Sequence, residues 1–316
     1  MINSKLEATV VVLLATACAG AIATENGQQS YPLGVNTVLD GILPYPGTTQ
    51  FYNYTVFYTA NRFAGSNGGS SIPGFKSNVF IDSPRVLHTW SPMLGPFTMT
   101  SGIVVPVVHA NVSVFGSSDS RWGLGDVVVH AMTLGYADPA HYFFSAFAFD
   151  FALPSGKFSP NHVANTGINS YAFMPNISAT YFPFEKVEVS ATAGYEINSP
   201  DRDTGYHSGN VAFLDWVAGY AVTSKLQLGV QGYALKQTTD DTLNGAAYEG
   251  GFRGRVYAIG PQVRFDFAQY SGIVFKWQHE FGARNRPQGD RIWLELTFPI
   301  DGKVAQSRGA SQSDSR

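Results

Sequence analysis

Cysteine is almost missing. The 316 residues contain one, Cys18, which lies in an N-terminal stretch that reads as an export leader. Lys5 supplies the positive region, Val10 to Ala17 the apolar core, and Ala21-Ile22-Ala23 the small-x-small cleavage site. Cleavage after Ala23 is the expected fate, with lipidation at Cys18 as the alternative; Ala15 stands where a lipobox has Leu. A mature chain starting at Thr24 has no thiol, which excludes disulfides, CxxC-type zinc sites and thiol chemistry.

Charge is also scarce. Asp, Glu, Lys and Arg make up 14% of the chain, against about 25% in globular proteins. The formal charge is −3, so no basic surface argues for a nucleic-acid partner. Long hydrophobic runs are absent beyond residue 24, which excludes a membrane-spanning helix. His109, His130, His141, His162 and His279 are scattered without metal-ligand spacing. In "YHSGN", His207 and Ser208 are adjacent, so on a strand they point to opposite faces and cannot act as base and nucleophile. No enzyme activity, cofactor or metal is expected. The acidic residues Asp201, Asp203, Asp240 and Asp241 are read as solvated loop charges, with a bridging divalent cation as the alternative.

What is present in quantity is Gly and aromatic residues: 33 Gly, 23 Phe, 16 Tyr and 5 Trp. Alternating segments recur from Gln50 onward, at 50–63, 75–90, 97–114, 124–136, 141–153, 167–182, 185–197, 210–222, 225–237, 253–267, 272–282 and 290–299. Their connections alternate between short, such as "ADPA" at Ala137–Ala140, and long, such as Asn198–Gly209. Tight turns at one end and long loops at the other point to an all-β fold, a closed antiparallel transmembrane β-barrel of about twelve strands in the outer membrane of a Gram-negative bacterium. On this reading the barrel spans 50–300, with outer-membrane lipid around it and a wet lumen inside. Tyr52, Tyr54, Phe143, Phe147, Tyr171, Phe173, Phe265, Phe275, Trp277 and Leu294 are expected to face lipid.

Residues 24–49 are too apolar for a solvated leader. Leu39, Ile42 and Leu43 are expected to fold back as a plug against the lumen wall. Residues 301–316 are polar and read as a disordered tail. The last two strands form a hairpin whose polar faces coincide in the lumen. Opposite-charge pairing there sets Glu280 opposite Arg291, Lys276 opposite Glu295 and Gln278 opposite Trp293, leaving Ala283 to Gly289 as an outside loop.

Several strings also resemble a known family: "GLGD" (Gly123–Asp126), "LPSGKFSPNHVANTGINSYAFMP" (Leu153–Pro175), "TTDD" (Thr238–Asp241), "RGRVYAIGPQVRFD" (Arg253–Asp266) and "KWQHEFGARNRPQGDRIWLELTFPI" (Lys276–Ile300). They are similar to outer-membrane proteins named for the meta-pathway of phenol degradation. The resemblance implies a barrel associated with catabolism of aromatic or other hydrophobic compounds. Two functions follow as expectations: a channel or facilitator for small hydrophobic or aromatic solutes, or a structural or adhesive barrel without a through-path.

Overall fold

The structure, a computed structural model, describes residues 28–301. The expected leader at 1–23 with Cys18, and the expected tail beyond residue 301, lie outside the described residues. Strands dominate, in the order β1 (Thr48–Ala64), β2 (Lys76–Leu94), β3 (Phe97–Val104), β4 (Val107–Val114), β5 (Ser117–Leu124), β6 (Val127–Ala137), β7 (Phe143–Leu153), β8 (Ala172–Phe184) and β9 (Val187–Asn198). The short β10 (Tyr206–His207), then β11 (Val211–Ala221) and β12 (Leu226–Gln237), follow. The short β13 (Thr242–Leu243) and β14 (Ala246–Ala247) precede β15 (Arg255–Ala268), β16 (Ser271–Arg284) and β17 (Arg286–Pro299).

β1 pairs with β17 on one side and with β2 on the other, so the antiparallel sheet closes on itself. β4 continues β3 along β2 in unbroken register, from Arg85↔Val104 to Asp82↔Val107. β5 runs into β6 along β4 and β3 with a one-residue slip, from Val107↔Leu124 to Val104↔Val128. The breaks fall at Val105-Pro106 and Gly125-Asp126. Counted as wall strands there are twelve, and closure removes every edge that lipid could not satisfy. The stretch at 115–123, which the alternation leaves as a long connection between the segments 97–114 and 124–136, instead lies mostly in strand β5. Its inward Asp119 and Arg121 are held by the loop at 154–171, so polarity there does not mean solvent.

Eight of the ten residues expected on the lipid face lie outward, including Leu294, Phe275 and Trp277. Tyr52 and Tyr54 do not. Both line the interior, where Arg85 packs over the Tyr52 ring and donates to Tyr54 Oη at 3.1 Å. The alternation of β1 is reversed: the outward positions are Asn53 and Thr55, which both donate to Asp82 Oδ1 at 2.7 Å. The tyrosines turn in because the lumen beside β1 is apolar rather than wet.

Leu294 is 46% exposed at mid-strand. Leu294→Arg is expected to cost about 2–4 kcal/mol of barrel stability, as a cation at bilayer midplane does. Urea unfolding in lipid vesicles checks this; parent-like stability would reassign the face.

Candidate functional site in the lumen

Residues 28–47 run inside the barrel with almost no regular secondary structure. Their backbone N–H and C=O groups therefore have few partners of their own, and an unpaired buried polar group costs free energy. The wall supplies those partners. Glu196 accepts from Ser30 N at 3.0 Å and Tyr31 N at 2.8 Å. Asp215 accepts from Gly34 N, Asn36 N and Tyr31 Oη at 2.9, 3.1 and 2.8 Å. Glu188 accepts from Leu39 N at 2.9 Å, and Thr180 Oγ1 from Gly41 N at 3.0 Å. Gln278 Nε2 donates to Gly34 O, and Gln262 bonds both the carbonyl and the hydroxyl of Thr37. At Gly34 the chain passes so close to Gln278 that a Cβ would overlap its amide, and φ is +80°.

Apolar packing completes the seal. Tyr31 stacks on Phe213 with ring centroids 3.6 Å apart, and Leu33 is fully buried beside Val35, Tyr233 and Trp293. Leu39, Ile42 and Leu43 line the remaining interior space, with Leu43 against Gly135. The polar side chains of β9 to β17 that the sequence suggested as a wet surface are instead largely dry. Lys276, Gln278, Glu280, Gln231 and Asp215 are all fully buried, because the N-terminal segment occupies the volume that water would fill.

The four charged residues of the final hairpin lie in the lumen, but the register differs from the expected one by two positions. Lys276 faces Trp293 and Gln278 faces Arg291. The side chains reach diagonally: Lys276 Nζ is 2.5 Å from Glu295 and Arg291 Nη2 is 3.5 Å from Glu280. Lys276 also lies over the Trp293 ring, and Glu280 takes bonds from Tyr58, Tyr233 and Gly289 N. These further partners outweigh direct opposition of charges, which adds only about 0.2–1 kcal/mol per pair. The expected loop at Ala283–Gly289 shrinks to a turn at Asn285, whose φ is +49°.

The half of the lumen against β1 to β8 is not filled. A cavity of about 480 Å³ lies between Leu39, Leu43 and walls that include Val104, Val128, Ala148 and Met174. It reaches Gly125, Asp126 and the loop residues Thr166 to Ile168. There Gly125 N donates to Pro106 O at 2.8 Å on one edge, while on the other edge side chains stitch the wall to the loop at 154–171. Asp126 accepts from Gly156 N at 2.8 Å and Ile168 N at 2.7 Å, Asp119 from Ala164 N, and Thr166 Oγ1 donates to Leu124 O.

Among the described residues no group of three or more His, Cys, Asp or Glu is placed to hold a metal ion. Of the loop acids, Asp241 takes hydrogen bonds from Gly209 N, Gln237 Nε2 and Tyr206 Oη, and burial raises its pKa from the usual aspartate value. His279 stands outward beside Trp277, 2.9 Å from Asp290.

Comparison with known proteins agrees with this geometry. An outer membrane channel from Pseudomonas putida F1 superposes with a TM-score of 0.71 at 17% identity, over 82% of this chain and 97% of that one. The β domain of the Bordetella autotransporter BrkA superposes with a TM-score of 0.52 at 9% identity, over 80% and 100%. No curated protein matches in sequence. A family profile does, over residues 60–296, a span that takes in ten wall strands whole, most of β17 and the end of β1. The chain is an outer-membrane β-barrel and belongs to the family described as "Putative MetA-pathway of phenol degradation".

Proposed function

We propose that the barrel passes small hydrophobic or aromatic compounds across the outer membrane, for use in their catabolism. The observation that carries this reading is the apolar-walled cavity of about 480 Å³, a volume suited to a small organic ligand. Its position supports a lateral route. It meets the wall at Gly125-Asp126, where side-chain bonds alone join the strand to the loop at 154–171 and can part while the bond from Gly125 N to Pro106 O keeps the sheet intact. Residues 28–47 act as the plug that closes the other half of the lumen. The Pseudomonas putida neighbour is itself an outer membrane channel, which is consistent with this reading.

The dense filling against β9 to β17 favours a second reading, a structural or adhesive barrel without a through-path. Proteoliposomes loaded with an enzyme that consumes phenol separate the two. The channel reading expects uptake well above that of protein-free vesicles, and slower uptake when the Gly125-Asp126 seam is locked by a disulfide between introduced cysteines at 126 and 168. Uptake equal to protein-free vesicles supports the closed barrel.

A further inference from the structure

The cavity contains a polar station that its apolar walls do not need. His130 on β6 is buried, with Nδ1 2.6 Å from Asp150 Oδ1. Asp150 Oδ2 accepts from Asn176 Nδ2 at 2.9 Å. An ionised carboxylate only accepts, so this contact places a proton on His130 Nδ1. In the neutral ring Nε2 is then an acceptor. Nε2 is buried and has no hydrogen-bond partner among the described residues. Arg85 on β2 lines the same cavity. One guanidinium nitrogen donates to Tyr54, and its buried Nε has no partner among the described residues.

The sheet holds these groups two strands apart. Arg85 pairs with Val104 on β3, and Gly102 on β3 pairs with His130. Their backbones are about 12 Å apart, two inter-strand spacings across and two residues along the strand. Gly102 has no side chain, and Leu87 packs over it as the apolar floor between them. The guanidinium charge and the Asp150 charge offset each other, so a neutral ligand leaves the charge of the cavity unchanged. His130 and Arg85 border one apolar space, and an acceptor and a donor there fit a group that both donates and accepts.

We propose that His130 and Arg85 form a specificity site for a hydroxyl group on an otherwise apolar or aromatic molecule. The ligand O–H donates to His130 Nε2, its oxygen accepts from Arg85, and the ring lies against Val128, Ala148 and Met174. Asp150 and Asn176 are positioning residues that fix the tautomer. A carboxylate ligand brings a charge with no proton for Nε2 and meets Asp150, so it is disfavoured. A hydrocarbon leaves both buried polar groups unpaired, a penalty that gives such sites their discrimination. The proposal rests on the passage reading above and adds to it the chemistry that selects the solute.

The test uses the folded barrel in detergent, titrated calorimetrically with phenol, toluene and benzoate. Phenol is expected to bind about tenfold more tightly than toluene, the difference one to two hydrogen bonds make, and benzoate more weakly than phenol. His130→Leu is expected to remove the preference for phenol, weakening phenol binding and strengthening toluene binding because no acceptor is left unpaired, and His130→Gln, which restores an acceptor, to recover part of it. Equal binding of phenol and toluene by the parent protein overturns the site, because a resident water or the walls then account for everything, while passage still stands. A phenol preference that survives His130→Leu overturns it as well. If that variant does not fold, the ranking of the three ligands by the parent and by His130→Gln decides. Failure of all three to bind the parent, with no uptake into vesicles, refutes the passage reading itself.

Discussion

Deletion of residues 28–47 is expected to convert a nearly closed barrel into an open, cation-selective pore, with single-channel conductance rising severalfold. The segment provides most of the closure of the lumen against β9 to β17, and its removal leaves the wall ladder intact. It also leaves Glu196 and Asp215 facing water without the backbone donors that now occupy them. Freed carboxylates lining a wide lumen select cations. A milder variant, Asp215→Ala, removes the acceptor for three bonds to Tyr31, Gly34 and Asn36. It is expected to give brief, flickering openings to the same conductance level. Unchanged conductance in a deletion variant that folds and resists heat like the parent would show that the loops, not this segment, close the pore.

The barrel itself is legible in the sequence because a wall strand must alternate and because only one end of such a barrel carries long loops. Both signals survive without knowledge of what fills the lumen. What failed depended on that filling. The rule that polar positions face inward holds for Lys276 and Gln278, which bond the N-terminal segment, and for Glu280, which Tyr58, Tyr233 and Arg291 hold within the wall. It reverses at Tyr52 and Tyr54, where the interior is an apolar cavity and the outward side carries Asn53, Thr55 and Asp82. The pattern alone gives the period, and only the occupant of the lumen gives its sign. The apolar character of residues 28–47 was the available signal that such an occupant exists. Glu196 and Asp215 were missed because an acceptor for irregular backbone has no spacing to recognise. His130 and Arg85 were missed for a similar reason: they lie in separate strands and meet only through the closed sheet.

The hairpin register shows the same limit at finer scale. Pairing charges directly across the strands assumed that each lumenal side chain meets only its cross-strand partner. Lys276 instead reaches Glu295 diagonally and makes two further bonds, to Val35 O at 3.0 Å and Thr37 Oγ1 at 2.8 Å. Its ammonium thus joins the wall to the N-terminal segment. Lys276→Met keeps the length of the side chain and removes the charge. Glu295 is then a buried carboxylate without a counter-ion, a loss of about 3–5 kcal/mol when one partner of a buried pair is removed. Unfolding in denaturant is expected to show the full loss. The Val35 carbonyl and the Thr37 hydroxyl lose their donor in the same variant, so the segment loosens and conductance rises. The double variant Lys276→Met/Glu295→Gln separates these effects. It removes the stranded charge and is expected to recover most of the stability, while the segment, still without its donor, stays loose and conductance stays high. Recovery of both together would mean that Lys276 only holds the wall. A change of ion selectivity without a change of stability would instead place Lys276 along an ion path.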